Sequence, residues 1–177
     1  MNSKNSILLF IFLILFVTST KAQTKDESIG LIRKIFQQTN SEKDLTRIQL
    51  ENDELTDEVP DGGVSLTGYF KDQVLLKISL WIGLSYGISE VEYYFNKDSL
   101  LFAYVTEKHF RNTADTINYS KADIKFEGRY YYKNGKLIYK TTKGNGFWNS
   151  STDSEESLPA DANNYLRILY IKKNKSG

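Results

Sequence analysis

One segment of this chain fits a catalytic pattern, G-x-S-x-G: it is Gly83–Gly87, which reads GLSYG. In a nucleophile elbow, this pattern holds a reactive serine on a strained turn between a strand and a helix. The residues that follow, Ile88–Phe95, instead alternate between apolar and polar types as a strand does. The single histidine, His109, lies in or at the end of another predicted strand. We therefore interpret the segment as a glycine-rich hairpin loop, and a small hydrolase that uses Ser85 is the alternative.

Four glutamates could supply the pair of carboxylates that glycoside hydrolysis requires. They are expected to approach one another on one face of a sheet: Glu90, Glu92, Glu107 and Glu127. Lys77, Lys125 and Arg129 are expected among them. Because interspersed charges of both signs are ordinary on the solvated face of an antiparallel sheet, we interpret these glutamates as surface residues. Catalysis by two of them remains part of the hydrolase alternative.

The sequence predicts no metal site and no cofactor. The chain has no cysteine, and His109 has no second histidine with which to form a common zinc site. Asp53, Asp57 and Asp61 miss the D-x-[DN]-x-[DN]-G spacing of a calcium-binding loop, and Pro60 interrupts them. We interpret these carboxylates as an acidic, solvated loop.

A group of tyrosines is the best candidate for a ligand-binding surface. Tyr69, Tyr94 and Tyr131 each lie two residues before a predicted turn, and alternate turns of an up-and-down meander share one end of the sheet. The three rings are therefore expected near one end of the wetter face, with Arg129 beside them and Trp81 towards the opposite end. Exposed aromatic rings beside an arginine are typical of binding hot spots. In the alternative, a terminal helix covers the rings, because α+β domains usually cover one face of their sheet.

The N-terminal elements follow from the spacing of apolar residues. Such residues recur at helical spacing over Asp26–Thr39, so a helix is predicted there, capped by Asp26 or Ser28. An acidic connection is predicted over residues 42–62, with a short strand at Thr46–Leu50.

From residue 64 the period of the apolar residues changes to two, which predicts a sheet over 64–142 with one buried and one wetter face. Residues 111–123 read as a polar connection within it. A polar loop and a terminal element are predicted over 147–177, with either a helix or a strand at Asp161–Ile171. The expected fold class is α+β: an N-terminal helix, an antiparallel meander of about six strands, and a C-terminal helix or strand.

Three predicted hairpins share one pattern, in which an aromatic pair is followed by a polar turn and an apolar triplet. They are Tyr69-Phe70 with Val74–Leu76, Tyr94-Phe95 with Leu100–Phe102, and Tyr131-Tyr132 with Leu137–Tyr139. In the third hairpin, Asn134-Gly135 is a strong signal for a type I′ turn, which needs positive φ at both positions. Both true duplication and convergent hairpin chemistry would explain the pattern.

Two of these hairpins resemble known sequences. The second and third hairpins look like hairpins in small uncharacterised exported proteins of Bacteroidota. They read EVEYYFNKDSLLFAYV (90–105) and FEGRYYYKNGKLIYK (126–140). More distantly, they resemble the tyrosine- and NG-rich hairpins of MORN-variant repeat proteins, although the regular spacing of those repeats is absent. The likeness implies a hairpin-rich fold and a host among the Bacteroidota. It identifies no catalytic residue in this chain. The MORN-variant likeness alone suggests a further alternative function, inhibition of a toxin by an immunity-type protein.

The resemblance also implies a modification site. Asp115-Thr116-Ile117 is similar to the Asp-Ser/Thr-apolar signal for O-glycosylation in Bacteroidota. Since this triplet falls in the predicted polar connection, Thr116 is the candidate acceptor.

Residues 1–22 predict export. Lys4 provides a short positive region, and Ile7–Val17 is an unbroken apolar run, well below the roughly 20 residues that a membrane-spanning helix needs. Thr20 and Ala22 are small residues at the −3 and −1 positions of a cut before Gln23. We expect a periplasmic or secreted protein with no membrane span after cleavage, and a retained N-terminal anchor is the alternative.

The charge balance limits the class of partner. Cleavage removes Lys4 and Lys21, which leaves 21 basic side chains against 22 acidic ones. This balance argues against a nucleic-acid-binding protein, which would carry a strong basic excess. Residues 23–177 are long enough for a single domain with its own core. The sequence therefore favours a non-catalytic exported protein that binds an unknown protein or cell-envelope component through the aromatic and charged face of its sheet.

The export prediction is tested by the mass of the mature protein. We expect protein recovered from the periplasm or the medium of its native host to begin at Gln23, because signal peptidase cuts after small residues at −3 and −1. Mass spectrometry of the N-terminal peptide measures this. Full-length protein that begins at Met1 and is held in the inner membrane would contradict the prediction.

Overall fold

The computed structural model describes residues 24–112, 116–146 and 154–176, excepting the side chains of residues 154, 155 and 176. The predicted signal peptide and its cleavage site lie outside the described residues. So does the greater part of the predicted polar loop that precedes the terminal element.

Within the described residues, seven strands form an antiparallel sheet in which each strand pairs with the next along the chain. The strands are β1 Thr46–Glu51, β2 Val64–Lys71, β3 Val74–Leu84, β4 Gly87–Asn96, β5 Ser99–Asn112, β6 Ile117–Lys133 and β7 Lys136–Gly144. A 3-10 turn, Asn52–Glu54, follows β1, and the helices are α1 Lys25–Ser41 and α2 Ser154–Ser176. This order confirms the predicted α+β class with its N-terminal helix and antiparallel meander, and of the helix or strand predicted at the C-terminus it is the helix that forms.

The sheet has one strand more than the predicted number of about six, because the short strand in the acidic connection does form. As β1 it pairs with β2 along its whole length, with Thr46 opposite Phe70 and Glu51 opposite Ser65. Its residue Leu50 is buried in the core. β1 lies at the edge of the sheet, so β2 satisfies the backbone groups on one side of it and the buried Leu50 anchors it to the core.

α1 is slightly longer than the predicted helix, and its N-cap is Thr24 rather than Asp26 or Ser28. The Thr24 hydroxyl accepts a hydrogen bond from the backbone N–H of Glu27, and the Glu27 carboxylate accepts one from the backbone N–H of Thr24. This capping box satisfies backbone donors at the helix start that have no partner within the helix.

The C-terminal element is a helix. α2 contains the predicted segment Asp161–Ile171 and begins earlier than predicted, at Ser154. Leu158, Ala162 and Leu169 are completely buried and recur at helical spacing, so they form the stripe that packs on the sheet.

The predicted polar connection over residues 111–123 is mostly strand, which corrects that expectation. β5 and β6 extend into it as a two-stranded arm, defined here as residues 108–112 and 117–124, with Arg111 opposite Asn118. The Arg111 Nε donates to both carboxylate oxygens of Asp123 at 3.0 Å, and the rings of Phe110 and Tyr119 pack edge to face at 5.1 Å. Most of the arm's sequence lacks an alternation of apolar and polar residues. Cross-strand side-chain pairs stabilise the arm, and packing against the core does not.

The three repeated hairpins share a geometry. The strand register shifts at each aromatic pair: between Tyr69 and Phe70, between Tyr94 and Phe95, and between Tyr131 and Tyr132. The second ring of each pair, that of Phe70, Phe95 or Tyr132, is at most 1% exposed and belongs to the core beneath α2. Asn134 and Gly135 have φ of 52° and 73°, as the predicted type I′ turn requires.

α2 approaches the sheet closely at Gly68. A Cβ atom at this position would lie 2.9 Å from Cδ1 of Leu169, so the glycine leaves room for the helix. The Leu169 side chain fills this space and is completely buried.

Leu169→Ala is expected to lower the free energy of unfolding by about 2–5 kcal/mol, because it removes a buried side chain and leaves a cavity above β2. Ile171→Ala on the same helix is the matched control. Its side chain is 46% exposed, so we expect a change within about 0.5 kcal/mol. Urea unfolding followed by circular dichroism measures both variants, and equal stabilities would contradict the packing of α2.

Candidate functional site

α1 lies across the face of the sheet opposite to α2, and we call this face the α1 face. Ile32 is buried there among aromatic residues of the central strands. The ring of Phe36 packs on Tyr94 and Phe102, with centroids 4.9 and 5.5 Å apart. Phe102 in turn packs on Tyr131 at 4.9 Å. The helix therefore sits on a row of rings and leaves the rest of the face to polar residues.

A groove lies between α1 and the sheet, and we call it the α1 groove. Its cavity volume is about 410 Å³, and its lining comes half from the helix and half from the strands: Ile32, Arg33, Phe36, Gln37, Phe102, Tyr104, Arg129 and Tyr131. Most of these side chains are aromatic or aliphatic. A concave and mostly apolar surface with a few polar groups is typical of sites that bind small molecules.

Both arginines of the α1 groove stack on tyrosine rings. The guanidinium carbon of Arg129 lies 5.0 Å from the ring centroid of Tyr104, and that of Arg33 lies 6.0 Å from the centroid of Tyr131. Arg129 also forms an ion pair with Glu127, and the Tyr104 hydroxyl donates to the same carboxylate at 2.8 Å. These distances are those of cation–π contacts, and the N–H groups of a planar guanidinium suit a carboxylate or phosphate.

The structure brings the predicted tyrosines to one face but leaves them unequally exposed. Tyr94 and Tyr131 are 1% and 5% exposed beneath α1, so the alternative in which a terminal helix covers the rings describes both. Tyr131 still lines the α1 groove. Tyr69 is half-buried outside the helix, and Nζ of Lys77 lies 5.6 Å from its ring and 5.2 Å from that of Tyr94.

The hydroxyl of Tyr94 ties the end of α1 to the sheet. It donates to the carboxylate of Glu92 at 2.7 Å, and the side-chain amide of Asn40 donates to it at 3.1 Å. Burial, followed by the negative charge of Glu92, raises the pKa of Tyr94 above that of a free phenol. The neutral hydroxyl therefore persists as a donor at neutral pH.

Beyond α1, the same face carries ion pairs at partial burial. Lys77 pairs with Glu92 and Lys108 with Glu90, and the Thr106 hydroxyl donates to Glu90 at 3.2 Å. Glu90 and Glu92 line one open pocket of about 270 Å³. Two carboxylates in a pocket are a feature of the hydrolase alternative, but each of these is also the partner of a lysine. Catalysis by this pair stays a prediction.

Glu107 corrects the expectation that the four glutamates share one face. It lies on the face that α2 covers, between Ser89 and Phe126 of the neighbouring strands, and it is 2% exposed. Its Oε1 lies 2.7 Å from Nε2 of His109. Its strand neighbour Val105 is buried in the same core, which is consistent with the two-residue period of the strand.

The other end of the α1 face holds Trp81 and Ser85. Ser85 is exposed in the turn between β3 and β4, and β4 follows it directly, as predicted. This segment therefore lacks the strand–turn–helix geometry of a nucleophile elbow. Trp81, Ser85 and Asp61 line an open cleft of about 470 Å³. Tyr86 packs its ring on His109, with centroids 5.1 Å apart.

The predicted glycosylation site is exposed. Thr116 lies at the surface immediately before β6, and its glycosylation stays a prediction.

In the described part of the chain, no cluster of three or more acidic or histidine side chains is arranged to hold a metal ion. Nor do the described residues form a helix with the length and apolar character needed to cross a membrane.

Comparison of the chain with models of protein families, with curated proteins and with solved structures found no match in any of the three. The resemblance to Bacteroidota and MORN-variant hairpins therefore stays an expectation. What can be proposed about function rests on the α1 groove and the polar surface beside it.

Of the eight residues that line the α1 groove, sequence reasoning proposed Tyr131 and Arg129 as binding residues and missed the other six. Two of the missed residues are polar, Arg33 and Gln37. They are one helical turn apart, and each directly follows an apolar residue of the same helix, Ile32 or Phe36. Residues at this spacing share a helix face, so a polar edge beside the buried stripe was visible in the sequence. The sequence did not show that this polar edge of α1 lies beside the sheet and lines a groove with it.

The stability of the fold is expected to fall at high pH. Burial and a hydrogen bond to Glu127 raise the pKa of Tyr104 to about 12, whereas an unfolded tyrosine ionises near about 10. The folded state favours the neutral phenol of Tyr104. The contribution of this side chain to the free energy of unfolding is therefore fully present below a pH of about 10 and is lost as the pH rises towards about 12. Urea unfolding across this range should show a shallower decline for Tyr104→Phe than for the wild type.

Tyr119→Phe is the control for this titration, because the Tyr119 ring is 65% exposed. We expect it to keep the wild-type decline. Identical pH profiles for the wild type and Tyr104→Phe would contradict the predicted coupling.

Proposed function

We propose that the mature chain is an exported, non-catalytic binding protein that takes a small ligand in the α1 groove. The observation that carries this proposal is the composition of the groove, which combines a mostly apolar lining with two stacked arginines in a cavity of about 410 Å³. Ligand sites commonly have volumes of about 300–1,000 Å³ and a lining of this kind.

The α1 groove continues into the charged surface that the sequence analysis proposed for binding. Tyr104 lines both the groove and the neighbouring pocket of Glu90 and Glu92. A ligand seated under α1 can therefore extend across the aromatic and charged face towards the half-buried Tyr69. This continuity supports a cell-envelope component with an apolar part and a polar part as the ligand.

Binding needs no reactive group in the α1 groove. Its lining contains no carboxylate, thiol, histidine or serine among the described residues. Glu127, which lies beside the groove, is paired with Arg129. A small secreted hydrolase and an immunity-type toxin inhibitor remain the alternative predictions.

A bulky residue at the edge of the α1 groove should block it. Gln37 is exposed and lines the groove, so Gln37→Trp is expected to obstruct the cavity without disturbing the core. We expect the wild type to bind 1-N-phenylnaphthylamine, an uncharged dye that brightens in apolar surroundings, and Gln37→Trp to bind it at least about tenfold more weakly, or about 1.4 kcal/mol. Fluorescence titration measures the dissociation constants.

Lys34→Trp is the matched control, since Lys34 is an exposed residue of α1 that does not line the groove. It should bind the dye as the wild type does. Absence of saturable binding to the wild type, or equal binding to all three proteins, would overturn the α1 groove as the ligand site.

A further inference from the structure

We infer that the ligand of the α1 groove is an anionic amphiphile, with one acidic group on an apolar body, and that Arg33 selects the acidic group. This inference rests on the proposed function. It goes beyond it by naming the chemistry of the ligand and the side chain that distinguishes it from an uncharged analogue.

The charge of the α1 groove is positive. Its lining residues include Arg33 and Arg129 but no aspartate or glutamate. Glu127 offsets the charge of Arg129 through an ion pair. Among the described residues, no ion pair or hydrogen bond involves the Arg33 side chain, whose contact is with the Tyr131 ring. Arg33 is therefore the cation that is available to a ligand.

Arg33 is an exposed residue of α1 at the edge of the groove. Its guanidinium lies over the ring of Tyr131, which is buried and fixed by packing on Phe102. The planar guanidinium of Arg33 presents a fork of N–H donors that matches the geometry of a carboxylate. It can bind a carboxylate through two parallel hydrogen bonds, which are stronger than those between neutral groups.

The apolar part of the lining limits the ligand further. Ile32, Phe36 and Phe102 offer surface that a small inorganic anion would leave uncovered. A purely apolar ligand would cover that surface but would remove water from Arg33 without replacing its hydrogen bonds, which costs free energy. A molecule with both parts satisfies both requirements.

The test compares two ligands that differ in the acidic group. Decanoate and decan-1-ol, each below its micellar concentration or solubility limit, compete with 1-N-phenylnaphthylamine for the wild type at pH 8. We expect decanoate to bind about tenfold more tightly, because a hydrogen-bonded charge pair is favourable and the alcohol leaves Arg33 unpaired. The preference should shrink as ionic strength rises, since salt screens exposed charges.

Arg33→Gln removes the charge and keeps a polar side chain of similar reach. We expect it to reduce the preference for decanoate to about twofold or less while the affinity for decan-1-ol changes little. Arg47→Gln is the matched control, because Arg47 also stacks on a tyrosine of the α1 face, Tyr69, at 5.5 Å, and does not line the groove. It should keep the wild-type preference.

The outcomes separate this inference from the proposed function. If Gln37→Trp blocks the dye and the two ligands compete equally well, the groove is a ligand site and the inference about its chemistry is wrong. A decanoate preference that survives in Arg33→Gln would also overturn the role of Arg33. If the dye binds elsewhere, both proposals fail. Arg33-dependent sedimentation with phosphatidylglycerol vesicles, without competition by free decanoate, would contradict a monomeric ligand and indicate a bilayer surface.

Discussion

Aromatic rings are buried on both faces of the sheet at one of its ends, and the architecture depends on this constraint. Neighbouring residues of a strand point to opposite faces, so Tyr94-Phe95 and Tyr131-Tyr132 each place one ring under α1 and the other under α2. In the first hairpin, Phe70 lies under α2, whereas Tyr69 stays half-buried outside α1. Neither face can then be left to solvent at this end. The two terminal helices cover the two faces, and the second and third hairpins contribute rings beneath both helices.

The two terminal helices cover their faces of the sheet to different extents, and the candidate site arises from that difference. α2 packs a continuous apolar stripe on its face and approaches the backbone closely at Gly68. α1 has 17 residues and rests on the row of rings around Phe102, which leaves the remainder of its face open. Where the helix ends its contact with the sheet, apolar rings and charged side chains lie side by side. The α1 groove is this boundary between a buried and a solvated part of one surface.

The polar part of the α1 face is ordered by paired charges rather than by packing. Lys77 with Glu92 and Lys108 with Glu90 connect neighbouring strands, and the Tyr94 hydroxyl joins Glu92 to Asn40 of the helix. Ion pairs that stay partly open to solvent contribute little, about 0–1 kcal/mol each, so burial of the rings accounts for more of the stability. The pairs instead keep this surface polar and hold its side chains in place beside the groove.

The sequence by itself determined the elements and much of their order. Apolar spacing placed α1 and the strands from Val64 onward, and Asn134-Gly135 identified a turn, because these signals are local and depend on the period of the backbone. Tertiary structure alone decided which rings are covered, so Tyr94 and Tyr131 are core residues while Tyr69 is not. It also decided the face of Glu107, since β5 is apolar on both sides at its start and its register shifts. The α1 groove arises between residues distant in the chain, and no local period encodes where a helix docks.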